Sequence, residues 1–92
     1  MPKQLRAVVR GGVQMVGFRY FVADEARRLG LTGWVRNGDD GETVEVVAQG
    51  TEEALRQLEA ALREGPRMAR VDAVDASWSD SLAGHEGFEL RW

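Results

Sequence analysis

The sequence contains no cysteine, so the chain can form no disulfide bond, no thiolate metal site and no thiol nucleophile. Apolar runs long enough to span a bilayer are also missing. No apolar segment of the kind found in secretory signals follows the first residues, Met1 to Gln4. Together these absences predict a cytoplasmic protein that does not associate with membranes.

Histidine is scarce as well, because His85 is the only one and stands in a polar, glycine-containing stretch. No serine or aspartate is patterned around it as in a catalytic triad, so we expect a solvated side chain. The acidic pairs Asp24-Glu25 and Asp39-Asp40 match neither an EF-hand nor a histidine-based metal site. The sequence therefore predicts no metal and no cofactor.

Positive charge is in slight deficit, with 12 Lys and Arg against 15 Asp and Glu, for a formal net charge of −3. A general nucleic-acid binder normally has a basic surface, so we expect no nucleic-acid partner. The tryptophans are expected in sheet packing; they are Trp34, Trp78 and Trp92. Local basic clustering is expected if the first two strands are neighbours, and its members are Arg6, Arg10, Arg19 and Arg36.

What is present is typical of a small globular protein. With 92 residues, 43% hydrophobic and 29% charged, the sequence predicts one domain over residues 1–92 that is large enough to be a monomer. Strand periodicity covers residues 5–9, 32–37, 43–49, 70–78 and 88–92. Helical stripes begin at Phe18 and after Thr51, and glycines at 30 and 65 favour their ends.

These elements follow the order βαββαβ, with a short final strand. Each helix has one apolar stripe, so both helices should pack on the same face of an antiparallel sheet. The predicted fold is a ferredoxin-like α+β sandwich. In the strand at 70–78 the apolar phase slips between Ala73 and Val74, which predicts a bulge.

The stretch from Gly11 to Arg19 joins the first strand to the first helix. Glycines there have a simple explanation, because they end strands and form turns without any ligand. Arg19 favours a ligand, since a cation near the positive end of a helix dipole is unfavourable unless an anion is bound. Loop N–H groups and a guanidinium fork both match a phosphoryl group. The stretch therefore predicts a phosphate-binding loop.

The same stretch resembles the signature of the acylphosphatase family, Gly-x-Val-Gln-Gly-Val-x-Phe-Arg. Six positions of that pattern are in place: Gly11, Val13, Gln14, Val16, Phe18 and Arg19. A second block, Gly33 to Asn37 followed by Gly41, Val44 and Gly50, is similar to the other signature of the family. Both blocks occur in the expected order, and the likeness extends to the closing segment from Gly87 to Leu90.

This resemblance implies the hydrolysis of small acyl phosphates to a carboxylate and inorganic phosphate. The phosphoryl group is expected in a loop whose binding residues are Val13, Gln14, Met15, Val16, Gly17, Phe18 and Arg19. Arg19 and Asn37 are the implied catalytic residues, and Asn37 is assigned to orienting the attacking water. From the residues alone, Asn37 has another interpretation, because asparagine often stabilises turns at strand ends.

Two departures from the family pattern affect the expected activity. Met15 stands where the family has glycine, so a positive φ there implies strain of roughly 1–2 kcal/mol. With an ordinary φ, its side chain projects over the pocket instead. The pair Glu42-Thr43 adds one residue before Val44, which a hairpin tip or bulge can absorb.

Two other functions remain open from the sequence. The first is a non-catalytic phosphate-binding or acyl-phosphate-binding module, similar to the acylphosphatase-like domain of hydrogenase-maturation carbamoyltransferases. The second is an RNA-binding or regulatory ferredoxin-like module, which requires a basic or aromatic open sheet face. A turnover assay separates the first from an enzyme, and a nucleic-acid shift assay tests the second.

Overall fold

A computed structural model describes residues 2–92 of the chain. It contains every predicted element, but the first strand is longer and the last is shorter than expected. The strands are β1 (Pro2–Gly12), β2 (Thr32–Asn37), β3 (Thr43–Thr51), β4 (Arg70–Ser79) and β5 (Phe88–Leu90), and the helices are α1 (Phe18–Arg28) and α2 (Glu52–Glu64). Among the described residues, no helix is long and apolar enough to cross a membrane.

The five strands form one sheet in the order β4-β1-β3-β2-β5. The pairs β1–β3, β1–β4 and β2–β3 are antiparallel, as predicted. The last pair differs from the prediction, because β5 runs parallel to β2. After β4 the chain reverses direction and reaches the opposite edge of the sheet. There its direction matches that of β2, so the sheet is mixed rather than fully antiparallel.

The condition for a cluster of arginines is not met, because β3 lies between β1 and β2 and the first two strands are not neighbours. Two of the arginines on these strands are paired with carboxylates instead. Arg10 lies 2.7 Å from Glu42, and Arg36 lies 3.2 Å from Glu45. The expected cluster of arginines is therefore replaced by separate ion pairs, and Arg19 has different partners.

The two helices bury their apolar stripes in one core against the sheet. In α1 the buried residues are Phe18, Val22, Ala23 and Ala26, and in α2 they are Leu55, Leu58 and Leu62. Thr51 caps α2 by accepting a 3.2 Å hydrogen bond from the N–H of Ala54. Gly30 follows α1 with a φ of 73°, the left-handed conformation that glycine adopts freely. Both helix boundaries thus follow the signals in the sequence.

The pairing between β1 and β4 shifts register near the end of β1. Arg10 pairs with Ala73 and Gly11 pairs with Val71, which leaves Asp72 as the extra residue. The predicted bulge is therefore present, slightly earlier than the predicted position. A Cβ on Gly11 would lie 2.1 Å from the carbonyl oxygen of Arg70, so this close approach of the strands requires glycine.

Candidate active site

The loop of residues 13–17 lies at the edge of the sheet where β1 and β2 both end. Both strands pair antiparallel with β3, and the partners Arg10–Thr43 and Asn37–Val44 place their ends at the start of β3. This brings Asn37 beside the loop, although many residues separate them in sequence. A cavity of about 110 Å³ lies between them; its lining residues are Val13, Met15, Gly17, Phe18, Arg19, Tyr20 and Asn37.

The loop and the start of α1 present backbone donors without protein partners. Within residues 2–92, no N–H group from Val13 to Tyr20 donates a hydrogen bond to the protein. Gly17 occupies the N-cap with a φ of 78° and supplies no side-chain cap, and the first turn holds no acidic residue. Unpaired N–H groups and the positive end of the helix dipole make this position suited to an anion.

Arg19 is the lining residue that supplies a positive charge to the cavity. Its side chain is half-buried, and its Nη1 donates a 2.7 Å hydrogen bond to the carbonyl oxygen of Arg91. The guanidinium carbon lies 4.1 Å from the centre of the Trp92 ring, at cation–π distance. Nε and Nη2 have no acceptor within residues 2–92 and remain for a ligand. The segment after β5 thus holds Arg19 at the cavity.

Asn37 ends β2 and contributes the second predicted catalytic side chain. Its Oδ1 is buried and has no hydrogen-bond partner among the residues that the structure describes. A buried polar atom without a partner costs free energy of about 1–3 kcal/mol, so such atoms commonly bind water or a ligand. Asn37 also lines the cavity, so its amide group lies beside the loop donors and Arg19.

The other residues of the loop fall into two groups, according to whether they line the cavity. Val13, Met15, Gly17 and Phe18 line the cavity, as expected for binding residues. Val16 instead packs against the core, and the side chain of Gln14 is directed towards the β2–β3 hairpin. For Gln14 and Val16, only the backbone N–H groups remain available to a ligand in the loop.

Gln14 joins the loop to the hairpin that follows Asn37. Its Nε2 donates to the carbonyl oxygens of Gly38 at 3.0 Å and Thr43 at 2.9 Å. Both hydrogen bonds are partly buried. The side chain therefore fixes the distance between the unpaired loop donors and Asn37, which a binding role assigned from sequence alone did not indicate.

Replacing Gln14 with alanine should lower the free energy of unfolding by about 1–3 kcal/mol, because two partly buried carbonyls lose a donor. It should also raise KM, since the loop loses its connection to the hairpin. Urea denaturation measures the first effect and steady-state kinetics the second. Gln57→Ala on the exposed face of α2 is the matched control and should change stability by less than about 0.5 kcal/mol. Equal stability of the two variants would contradict the role given to Gln14.

Met15 combines both of the features expected as alternatives. Its φ is 63°, and it is the non-glycine residue with positive φ among those described. Its side chain is 99% exposed and also lines the cavity. The loop thus keeps the left-handed conformation, at a strain of about 1–2 kcal/mol for a residue with a Cβ.

Replacing Met15 with glycine should raise the free energy of unfolding by about 0.5–1 kcal/mol, because the relieved strain exceeds the entropy cost of glycine. Chemical denaturation of the two proteins checks this expectation. Met68 is a matched control, since it is exposed and has no positive φ. Met68→Gly should lower stability, and a loss of stability in both variants would show that the loop is not strained at Met15.

Asp40 shapes the hairpin that presents Asn37. Its Oδ1 accepts hydrogen bonds from the N–H groups of Glu42 and Thr43, both at 3.0 Å, and from the Thr43 hydroxyl at 2.8 Å. These bonds, led by the one from Glu42, hold the pKa of Asp40 below its ordinary value of 3.8. The ionised form therefore supports the hairpin at neutral pH, and this support is lost as pH falls through the lowered pKa.

Chemical groups outside the cavity are less organised. His85 lies in the segment between β4 and β5 and does not line the cavity. The expectation of a solvated side chain is wrong, because His85 is partly buried and its Nε2 is a buried atom without a hydrogen-bond partner among residues 2–92. Within residues 2–92, no three side chains of His, Asp and Glu come together as a metal site would require. One of the three tryptophans differs from the expectation of sheet packing. Trp34 and Trp78 do lie on strands, whereas Trp92 follows β5 and stacks on Arg19.

Comparison with known proteins gives one consistent family. The family model described as Acylphosphatase matches residues 5–90. An acylphosphatase of Salinibacter ruber is 51% identical, over 97% of this chain and 93% of its own length. The crystal structure of acylphosphatase from Bacillus subtilis has a TM-score of 0.93 and 43% identity, and the match covers 98% of this chain and 99% of that one.

The same fold also occurs inside a longer protein. The crystal structure of T. kodakarensis HypF has a TM-score of 0.81 and 30% identity over 97% of this chain, but the match covers 12% of that chain. The full-length matches to proteins of similar size, together with the family model, decide the relationship. The chain belongs to the acylphosphatase family, whose members are small hydrolases of acyl phosphates.

Proposed function

We propose that this chain hydrolyses the carboxyl–phosphate bond of small acyl phosphates, with the phosphoryl group in the 13–19 loop. The observation that supports this most strongly is the run of unpaired N–H groups from Val13 to Tyr20 around a cavity that Arg19 also lines. These donors and the guanidinium match the oxygens of a dianionic phosphoryl group. Phosphoryl transfer depends mainly on positioning and on stabilising charge, which this arrangement supplies.

In the proposed reaction, Asn37 holds a water molecule opposite the leaving carboxylate. The amide can donate a hydrogen bond to this water or accept one from it, and so direct the water lone pair at phosphorus. A bond forms between the water oxygen and phosphorus, and the bond from phosphorus to the acyl oxygen breaks. The carboxylate leaves with the electron pair, and the water proton passes to a phosphate oxygen of the substrate. No side chain is required as a base.

The carboxylate is a good leaving group, so we assign neither a metal nor a cofactor to this reaction. We also propose that the chain acts as a single domain and as a monomer in the cytoplasm, on a small molecule and without nucleic acid. The net charge of −3 and the lack of cysteine support these assignments.

Benzoyl phosphate hydrolysis by the purified chain in EDTA, followed across pH, tests this proposal. We expect turnover that varies little from about pH 5.5 to about pH 7.5, because no histidine takes the proton. A rise in turnover with a midpoint at about pH 6.5 would instead indicate an imidazole base. Phosphate binding without turnover would favour the non-catalytic module that the sequence left open.

A further inference from the structure

Exposed apolar side chains gather at the mouth of the cavity. Within residues 2–92, the large hydrophobic residues that are exposed are Met15, Tyr20, Met68, Leu82 and Trp92. Met15 and Tyr20 line the cavity, and Trp92 lies on the guanidinium of Arg19. We call Met15, Tyr20 and Trp92 the apolar rim. Exposed apolar groups that cluster beside a binding site commonly mark a surface that contacts a ligand.

The rim lies where the acyl part of a substrate must be. A phosphoryl group bound by the loop N–H groups and Arg19 fills the inner part of a cavity of about 110 Å³. The acyl group must then leave the cavity past its exposed residues. Trp92 does not itself line the cavity, but its ring lies 4.1 Å from the guanidinium carbon of Arg19, so this exposed ring flanks the residue that supplies the positive charge of the cavity.

The charges of the cavity favour an acyl group that is itself uncharged. Among the lining residues that the structure describes, Arg19 is the one with a charged side chain. Its guanidinium is shared between the carbonyl of Arg91 and the ligand. An acyl group with a second carboxylate therefore finds no further cation, whereas an aromatic or branched aliphatic group finds apolar side chains.

We propose that the apolar rim binds the acyl group, and that the preferred substrates are acyl phosphates with aromatic or large aliphatic acyl groups. The inference rests on the proposed function, because it assumes the phosphoryl group in the loop. It adds a preference that recognition of phosphate alone would not produce, since the loop contacts are the same for every acyl phosphate.

The test compares kcat/KM for benzoyl phosphate and acetyl phosphate in the native chain and in a Tyr20→Gln/Trp92→Gln double variant. The native ratio should favour benzoyl phosphate, and the double variant should lower that ratio about tenfold, a discrimination typical of apolar contacts in a substrate pocket. Any loss of Arg19 alignment affects both substrates and cancels in the ratio. Met68→Gln and Leu82→Gln remove exposed apolar side chains away from the cavity and should leave the ratio unchanged.

An unchanged ratio in a double variant that still hydrolyses both substrates would overturn the apolar rim and leave the proposed function standing. If the native chain hydrolyses neither substrate, the proposed function fails and binding decides the inference. Calorimetry with benzylphosphonate and methylphosphonate then measures affinity without turnover. If the native chain binds benzylphosphonate more tightly than methylphosphonate and the double variant does not, the result supports the apolar rim. Equal affinities of the native chain for the two phosphonates overturn it.

Discussion

Replacing Arg19 with glutamine should lower kcat/KM for benzoyl phosphate by about 10³-fold or more, in the range found for arginines that stabilise phosphoryl transfer. Arg19 lines the cavity, and its Nε and Nη2 have no acceptor within residues 2–92. Glutamine keeps a polar side chain but removes the charge and the planar fork of donors. Steady-state hydrolysis and phosphate binding by calorimetry measure the two losses, and both should be large.

Arg28→Gln is the matched control for this experiment. Arg28 lies on the same helix, is exposed and pairs with Glu25 at 2.6 Å. An exposed pair of this kind contributes little to stability, so activity and thermal stability should stay close to native values. If Arg19→Gln kept native kcat/KM, or lost no more activity than Arg28→Gln, the cavity would not be the site of reaction.

Replacing Asn37 with alanine should lower kcat by about 10²–10³-fold, the effect found when one group that orients or stabilises the reacting atoms is removed. Phosphate affinity should change little, because the loop N–H groups and Arg19 remain. This separation between kcat and binding distinguishes Asn37 from Arg19. Rapid-quench kinetics at saturating benzoyl phosphate, beside phosphate titration, measures both quantities.

Asp39→Ala tests whether any change in the hairpin has the same effect. Asp39 is exposed near the tip of the hairpin and does not line the cavity. Its variant should keep native kcat. A parallel loss in both variants would indicate that Asn37 acts by holding the turn, which is the interpretation that strand-end asparagines favour from sequence alone.

Local signals in the sequence predicted most of the fold. The stripe from Phe18, the cap at Thr51 and the glycine at 30 each act within one or two turns of a helix, so they can be identified without tertiary contacts. The parallel pairing of β5 with β2 depends on which edge the chain reaches after β4. That choice has no local signal, and the sheet was accordingly expected to be fully antiparallel.

The loop of the candidate site could be identified from the sequence, but the contacts that hold the loop and Arg19 in place could not. The glycines and Arg19 mark an anion site in sequence, because unpaired donors at a helix start are a local property. Gln14 is different, since its partners Gly38 and Thr43 become neighbours only when β1 and β2 pair with the same strand. Trp92 and Arg91 reach Arg19 from the segment after β5, and nothing in their local sequence indicates that contact.

Met15 departs from the family pattern, and its conformation in the structure differs from either alternative taken alone. The sequence offered either strain or a projecting side chain, and the structure has both, with a φ of 63° and nearly full exposure. The backbone conformation is set by the loop, so the side chain has to accept it. The same exposure makes Met15 part of the apolar rim.

The most direct measurement is hydrolysis of benzoyl phosphate by the native chain in water enriched in ¹⁸O, with mass analysis of both products. Attack on phosphorus by the water that Asn37 holds places the label in inorganic phosphate and leaves benzoate unlabelled. Label in benzoate would mean attack at the carbonyl carbon, which would contradict a site built to bind and stabilise the phosphoryl group.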